Sequence, residues 1–333
     1  MRGSIAVIFS LFFLLLFWSW RGDPGWPSMA YDFSKNPPNE KIRELGRALF
    51  YDPILSADST ISCASCHSPY QSFAHTDHAV SHGIYDRMGT RNAPVLINMA
   101  WQKSFMYDGA IAFLDFQPLA PIAHPSEMGE DMAHVLRKLK RSALYPSAFA
   151  WAFGDSLISS ERMLKAMSQF VLSLVSQDAK YDKVMLGQAS FSEQESKGYA
   201  LFQEKCASCH VPPLFTDGSF KNNGLEVNPA FLDSGRYRIT RDQGDLFKFK
   251  VPTLRNISFS GPYMHDGRFS QLMQVVRHYS SHAVSNNGVK EISIPMHLST
   301  DQETELVAFL LTLSEPEFNF KKENQFPKEF FKH

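Results

Sequence analysis

Cys63-Ala-Ser-Cys66-His67 and Cys206-Ala-Ser-Cys209-His210 are identical pentapeptides, and together they use all four cysteines of the chain. Two thiols at C-x-x-C spacing can close a disulfide, and two such pairs can hold one zinc ion. The histidine directly after each pair points to a third chemistry. The thiols add to the vinyl groups of haem, and the adjacent histidine becomes an axial ligand of the iron. Two matches that exhaust the cysteines favour two covalently bound haem c groups, with zinc and disulfides as the alternatives.

The elements that must position these groups repeat as well. ELGRALFYDPILSADSTISCASCHSPYQSFAHTD and SKGYALFQEKCASCHVPPLFTDGSF share Gly-x-Ala-Leu-Phe, then CASCH, then Phe and Thr-Asp. The first copy carries extra loop residues between Phe50 and Cys63. Internal duplication of a helix-plus-haem-loop unit accounts for this. It predicts a mainly α chain of two cytochrome c-like haem domains, built of helix and loop. The expected ranges are 31–186 and 190–320, with the break near Leu186–Ser192.

Helical spacing agrees. Asn39 can cap a helix whose Ile42, Leu45, Leu49 and Phe50 share a face. Ser192, with Glu195 three residues on, forms a capping-box pattern. Residues 161–186 form another helical stretch, and a last helix begins near Ser299–Thr300. In QLMQVVRHYSSH, Ser270 can cap a helix in which Leu272, Val275, Val276 and Tyr279 fall on one apolar face. Gln271, Gln274 and His278 fall on the polar face. This periodicity directs Tyr279 inward and His278 outward.

The chain has 333 residues, 20% charged and 44% apolar, and a formal net charge of -1. That balance describes a globular protein with room for two domains and gives no basic stripe for nucleic acid. Residues 1–22 open with one Arg and an unbroken apolar run, which reads as an export signal or a retained N-terminal anchor. The folded part is then expected outside the cytoplasm.

GRALFYDPILS, TISCASCHSP, GTRNAPVLIN, FMYDG, QPLAPIAHPSEMG, FKVPTLRNISFSGPYMHDGRF and ELVAFLLTL lie within residues 38–315. Together these stretches resemble the bacterial dihaem cytochrome c peroxidase family, which includes the MauG-type enzymes. The resemblance implies that the haem on Cys63 and Cys66, with proximal His67, reacts with peroxide. It implies that the haem on Cys206 and Cys209, with His210, relays electrons. Gln117 and Glu127 match the family's distal pair, and a carboxylate near iron could move a proton between the peroxide oxygens. Taken singly, each would read as a solvated loop residue.

The resemblance also implies a calcium ion held by Asn92 and by the backbone carbonyls of Ser260 and Pro262, a set of oxygens suited to that ion. Asn92 taken alone is a turn residue. The family's bridging Trp between haems is replaced here by Tyr107, with nearby Trp101 as the other candidate and core packing as the plain reading of both. In the loop containing His78 and His82, His82 matches a histidine that some relatives place on the first haem's sixth position at rest. Tyr279 matches the axial ligand of the second haem, a position that is Met in ordinary peroxidases. Met273, Met264 and His282 are the alternatives.

Three functions follow from the resemblance. One is reduction of hydrogen peroxide with electrons from a small cytochrome c or copper protein. Another is MauG-like oxidation of Trp or Tyr on a partner protein. The third is a non-enzymatic dihaem electron carrier, against which Gln117 and Glu127 speak. A periplasmic location is implied, a homodimer is compatible, and nucleic acid is not expected as a partner.

Overall fold

The computed structural model of the chain describes residues 25–75, 78–282 and 295–332. The expected leader, 1–22, lies outside them. The described part is helix and loop, and its only sheet pairs β1 (Phe220–Lys221) antiparallel with β2 (Phe249–Lys250). No described helix is long and apolar enough to cross a membrane.

Two helix pairs organise the fold. In the first unit, α1 (Glu40–Tyr51) crosses α4 (Ser160–Leu172), with α2 (Met132–Arg141) and α3 (Tyr145–Phe153) packed beside them. In the second, α5 (Glu193–Lys205) crosses α7 (Thr300–Leu311), and the short α6 (Leu272–Arg277) packs on α7. Two of the three expected caps form; the third does not, because α6 begins at Leu272 with Gln271, not Ser270, at its N-cap. The Asn39 side chain accepts from the Lys41 and Ile42 amides, and Ser192 and Glu195 close a capping box.

The glycine of Gly-x-Ala-Leu-Phe explains why that motif repeats. A Cβ on Gly46 would overlap the Ala166 carbonyl of α4, and one on Gly198 would overlap the Glu305 carbonyl of α7. Both crossings therefore bring backbone against backbone, an approach that a side chain would block. The repeat continues past the stretch visible around CASCH. Asn98 and Asn256 both adopt left-handed backbone, and their amides donate to the carbonyls of Leu174 and Leu313, the residues that follow α4 and α7.

Packing departs from the expected domain ranges at both edges. Residues 180–185 belong by contact to the second unit. Tyr181 packs edge-on against Phe215, and Asp182 accepts both guanidinium ends of the fully buried Arg255 at 2.8 and 2.7 Å. Beyond α7 the chain returns to the first unit. Phe318 is buried in that unit's core with Phe50, Phe73 and Phe170, and the Tyr51 hydroxyl donates to the Asn324 carbonyl at 2.6 Å.

The polar face assigned to His278 is corrected. α6 stops at Arg277, and residues 278–282 form a wider π turn. His278 itself keeps helical backbone, with φ of -57° and ψ of -50°, so its face is buried by the segment packed on it and not by a change of phase. His278 is 4% exposed, and its Nε2–H donates to the Asn223 carbonyl at 3.0 Å.

Candidate functional site

The two CASCH segments sit on equivalent supports. His67 Nδ1 lies 2.8 Å from the Phe73 carbonyl, and His210 Nδ1 lies 3.1 Å from the Phe215 carbonyl. A carbonyl can only accept, so Nδ1 carries the proton and Nε2 is the nitrogen left for a metal. Both phenylalanines take left-handed backbone, with φ of 59° and 54°. Burial holds the His67 imidazole down to about 4 and lowers His210 as well, so both are neutral and fit to ligate.

The four cysteines are unpaired. Burial pushes Cys63 and Cys206 up to about 12 and Cys66 up to about 11. The zinc alternative fails on geometry. Among the described residues the one metal-sized grouping is Glu130, Asp131 and His134, with no cysteine in it. Its buried Glu130 already pairs with Lys138 and His134, each at 2.9 Å. The donors and their surroundings fit covalent haem. Paired thiols stand beside an oriented neutral imidazole, and in the first unit a largely apolar cavity opens against them.

That cavity brings together Cys63, Cys66, His67, Gln117 and Glu127, with Phe50, Leu96 and Met167 among its apolar walls. Three loops build it. Gln117 follows a helical turn at 114–116, and its side-chain N–H reaches the Met106 sulfur at 3.7 Å. The Glu127 amide donates to the His124 carbonyl at 3.0 Å, and its carbonyl accepts from Ile84 at 2.8 Å. Burial raises the Glu127 carboxyl, and His124, 3.7 Å away, partly offsets this. A carboxylate with a raised pKa exchanges protons more readily near neutral pH.

His82 does not line this cavity, although its loop borders it. Its carbonyl lies 3.5 Å from Cys66 Sγ, its ring centre lies 4.2 Å from that of His78 in a tilted pair, and its Nε2 is buried without a hydrogen-bond partner. The next residue, Gly83, lies against the Ser126 and Glu127 backbone.

Tyr107 stands between the units. Its carbonyl accepts from Lys250 at 2.7 Å, and Arg236 donates to the neighbouring Asp108 carbonyl at 2.9 Å. Arg91 binds Asp108 of its own first unit and Asp233 of the second, both at 2.6 Å. Burial pushes the Tyr107 phenol well above its usual value. Trp101 donates to the Pro27 carbonyl, and its ring lies 4.9 Å from Trp26, over which Arg255 sits at 4.6 Å.

In the second unit, Tyr279 lies near the Cys206 and Cys209 thiols. Burial pushes its phenol up to about 12, and an Asn223 hydrogen bond opposes the rise. The Asn223 amide N–H lies 3.5 Å from both the Tyr279 hydroxyl and the Met264 sulfur. Tyr279 and Met264 therefore share one region. The His282 side chain lies outside the described residues.

For calcium, the Asn92 amide donates to the His265 carbonyl at 2.7 Å, which draws Asn92 to the 260–265 loop. Its side-chain nitrogen donates to the Ala79 carbonyl at 3.0 Å, so its oxygen is the atom left to meet a cation. No hydrogen bond among the described residues ends on the Ser260 or Pro262 carbonyl. This oxygen set fits a hard cation.

Sequence reading gave Met106 no role, named Met264 only as an alternative ligand, and missed Lys250. The first two had a signal: Phe-Met-Tyr-Asp-Gly at 105–109 and Tyr-Met-His-Asp-Gly at 263–267 are the same turn, with both methionines left-handed at φ of 69° and 74°. Lys250 had none. Its ammonium donates to the Ser104 carbonyl at 2.7 Å, and burial lowers it to about 8.

Comparison with known proteins agrees with this geometry. Residues 40–190 match the family model described as di-haem cytochrome c peroxidase. The methylamine utilization protein MauG of Methylophilus methylotrophus is 34% identical over 285 residues, 84% of each chain. Cytochrome c551 peroxidase of Nitrosomonas europaea is 33% identical over 293 residues, 86% of this chain and 83% of its own. The crystal structure of a MauG-like protein associated with microbial copper homeostasis superposes with a TM-score of 0.84 at 28% identity. It covers 93% of this chain and 99% of its own. The diheme peroxidase BthA from Burkholderia thailandensis gives 0.74 at 26% identity, over 87% and 90%. With these relatives come two cytochrome c-like haem domains, two haem c cofactors and oxidoreductase chemistry on peroxide. The chain belongs to the dihaem cytochrome c peroxidase and MauG family.

Proposed function

We propose that this protein reduces hydrogen peroxide in the cavity of the first unit, using electrons passed through the second. One observation carries the reading: Gln117 and the raised carboxyl of Glu127 converge on the cavity that also exposes Cys63, Cys66 and His67. Haem c on these residues would supply the iron that exchanges electrons with peroxide. Reduction to two waters consumes two electrons and two protons. Glu127 would take a proton from one peroxide oxygen and return it to the other. Gln117 holds the peroxide by hydrogen bonding, and its contact with Met106 limits where its amide can point. His67 and His210 serve as the proximal ligands.

Tyr279 would hold the iron of the second haem in this proposal, and it favours a second reading. A phenolic oxygen stabilises oxidised iron, so this haem would be a poor acceptor from an ordinary small cytochrome. Oxidising equivalents would then be used on Trp or Tyr of a partner protein, as in a MauG-like enzyme. His82 is proposed as a resting-state ligand of the first haem, on the strength of its orphaned Nε2. Calcium at Asn92, Ser260 and Pro262, export by residues 1–22 to the periplasm, and Tyr107 as the inter-haem bridge complete the assignment. The donor is a small cytochrome c or copper protein.

Stoichiometric peroxide added to the oxidised protein separates the two readings. Rapid, repeated consumption of peroxide with reduced cytochrome c supports the peroxidase. Oxidising equivalents that persist after the peroxide is gone, and that cytochrome c does not discharge, support the partner-protein route.

A further inference from the structure

The chain beyond α7 crosses back to the first unit and packs against the loop that follows His67. The Asn319 side-chain oxygen accepts from the Ser72 amide at 3.0 Å and from the Ser72 hydroxyl at 2.9 Å. Asn319 is 1% exposed and Ser72 is fully buried. Phe318 packs edge-on against Phe73, with ring centres 6.2 Å apart. Ser72 and Phe73 are consecutive residues in left-handed backbone, with φ of 53° and 59°. Two such residues in a row, neither a glycine, persist only where their surroundings hold them. The Phe73 carbonyl is the one that accepts from His67 Nδ1.

The second unit reaches the same end without a tail. Its Phe215 carbonyl faces His210 Nδ1, and the loop is held from within its own unit. Thr253 donates to the Leu214 carbonyl and Thr216 to the Val251 carbonyl, both at 2.6 Å. The brace on Ser72 is therefore specific to the first unit.

We propose that Asn319 is a positioning residue for His67. The C-terminal tail fixes the Ser72–Phe73 turn and with it the hydrogen bond that orients and polarises the imidazole. The proposal rests on His67 being the axial ligand of the first haem. A firm Nδ1–H to carbonyl bond makes the ligating nitrogen more basic and stabilises the oxidised metal. Loosening it moves the first haem's potential upward.

The test uses the purified dihaem protein with Asn319→Ala, which removes the acceptor, and Asn319→Asp, which retains an acceptor oxygen. Spectroelectrochemistry reads each haem's potential, and resonance Raman reads the iron–histidine stretch. Asn319→Ala is expected to shift the first haem's potential upward and lower its stretch, with the second haem unmoved and Asn319→Asp close to the parent. An unmoved first haem, equal shifts in both haems, or no rescue by Asn319→Asp overturns the proposal. Should Asn319→Ala not fold, Ser72→Ala removes only the hydroxyl bond. A smaller shift in the same direction supports the brace, and no shift overturns it. A parent protein whose first haem lacks a histidine stretch refutes the reading of His67 instead.

Discussion

The two haem units share a scaffold and differ in what surrounds the metal position. Both have a glycine crossing, at Gly46 and Gly198, and a left-handed Phe whose carbonyl holds the proximal imidazole. Both have a left-handed Met turn, at Met106 and Met264. In the first unit the Met sulfur faces Gln117, and Glu127 shares the cavity. In the second the equivalent sulfur faces Asn223, which also reaches Tyr279. The duplicated parts are those that seat a haem, and under the proposed function the divergent parts decide whether a small oxidant or a side chain occupies the remaining position. Catalysis on that proposal depends on a few loop residues set on a common frame.

If the division of labour lies in those residues, removing the acid should affect one unit alone. Glu127→Gln is expected to slow the reaction with peroxide by ~100- to 10,000-fold, measured by stopped flow, with both haems retained by pyridine haemochrome. Near-normal rates would remove the main distinction between the units. The same group sets a pH dependence. Glu127 has a raised pKa in the folded protein, so its base form is lost as pH falls through a value above the ordinary 4.5. The rate should fall roughly tenfold per pH unit below that point, and this dependence should vanish in Glu127→Gln.

The second unit is tested at Tyr279. Tyr279→Met should raise the second haem's potential and ease reduction by cytochrome c, read by spectroelectrochemistry. An unchanged potential would assign ligation to Met264 or another neighbour. The shared frame is tested last. Gly46→Ala and Gly198→Ala should each cost about 1–3 kcal/mol of stability, because the added carbon has only backbone to displace. Denaturation followed at each haem's absorbance would show whether the two crossings are energetically equivalent.

Much of this was legible in the chain because it depends on short-range order. A C-x-x-C-H run carries its own chemistry within five residues, and Asn39, Ser192 and Ser299 cap helices from three residues away. The inward placement of Val276 and the burial of Leu45 follow from helical period alone. The same period failed at His278, whose polar face is covered by the Asn223 segment, a contact 55 positions away in the chain.

By itself the sequence determined the haem-seating duplication, the caps at Asn39 and Ser192 and the identity of the residues able to handle protons. These follow from local spacing and side-chain chemistry. Only the tertiary structure decided that Glu127 and Gln117 open onto one cavity with His67, that residues 180–185 join the second unit, and that Asn319 grips Ser72 from 247 positions away. Such contacts depend on how loops cross in space, and a one-dimensional pattern holds no period or motif that encodes the crossing.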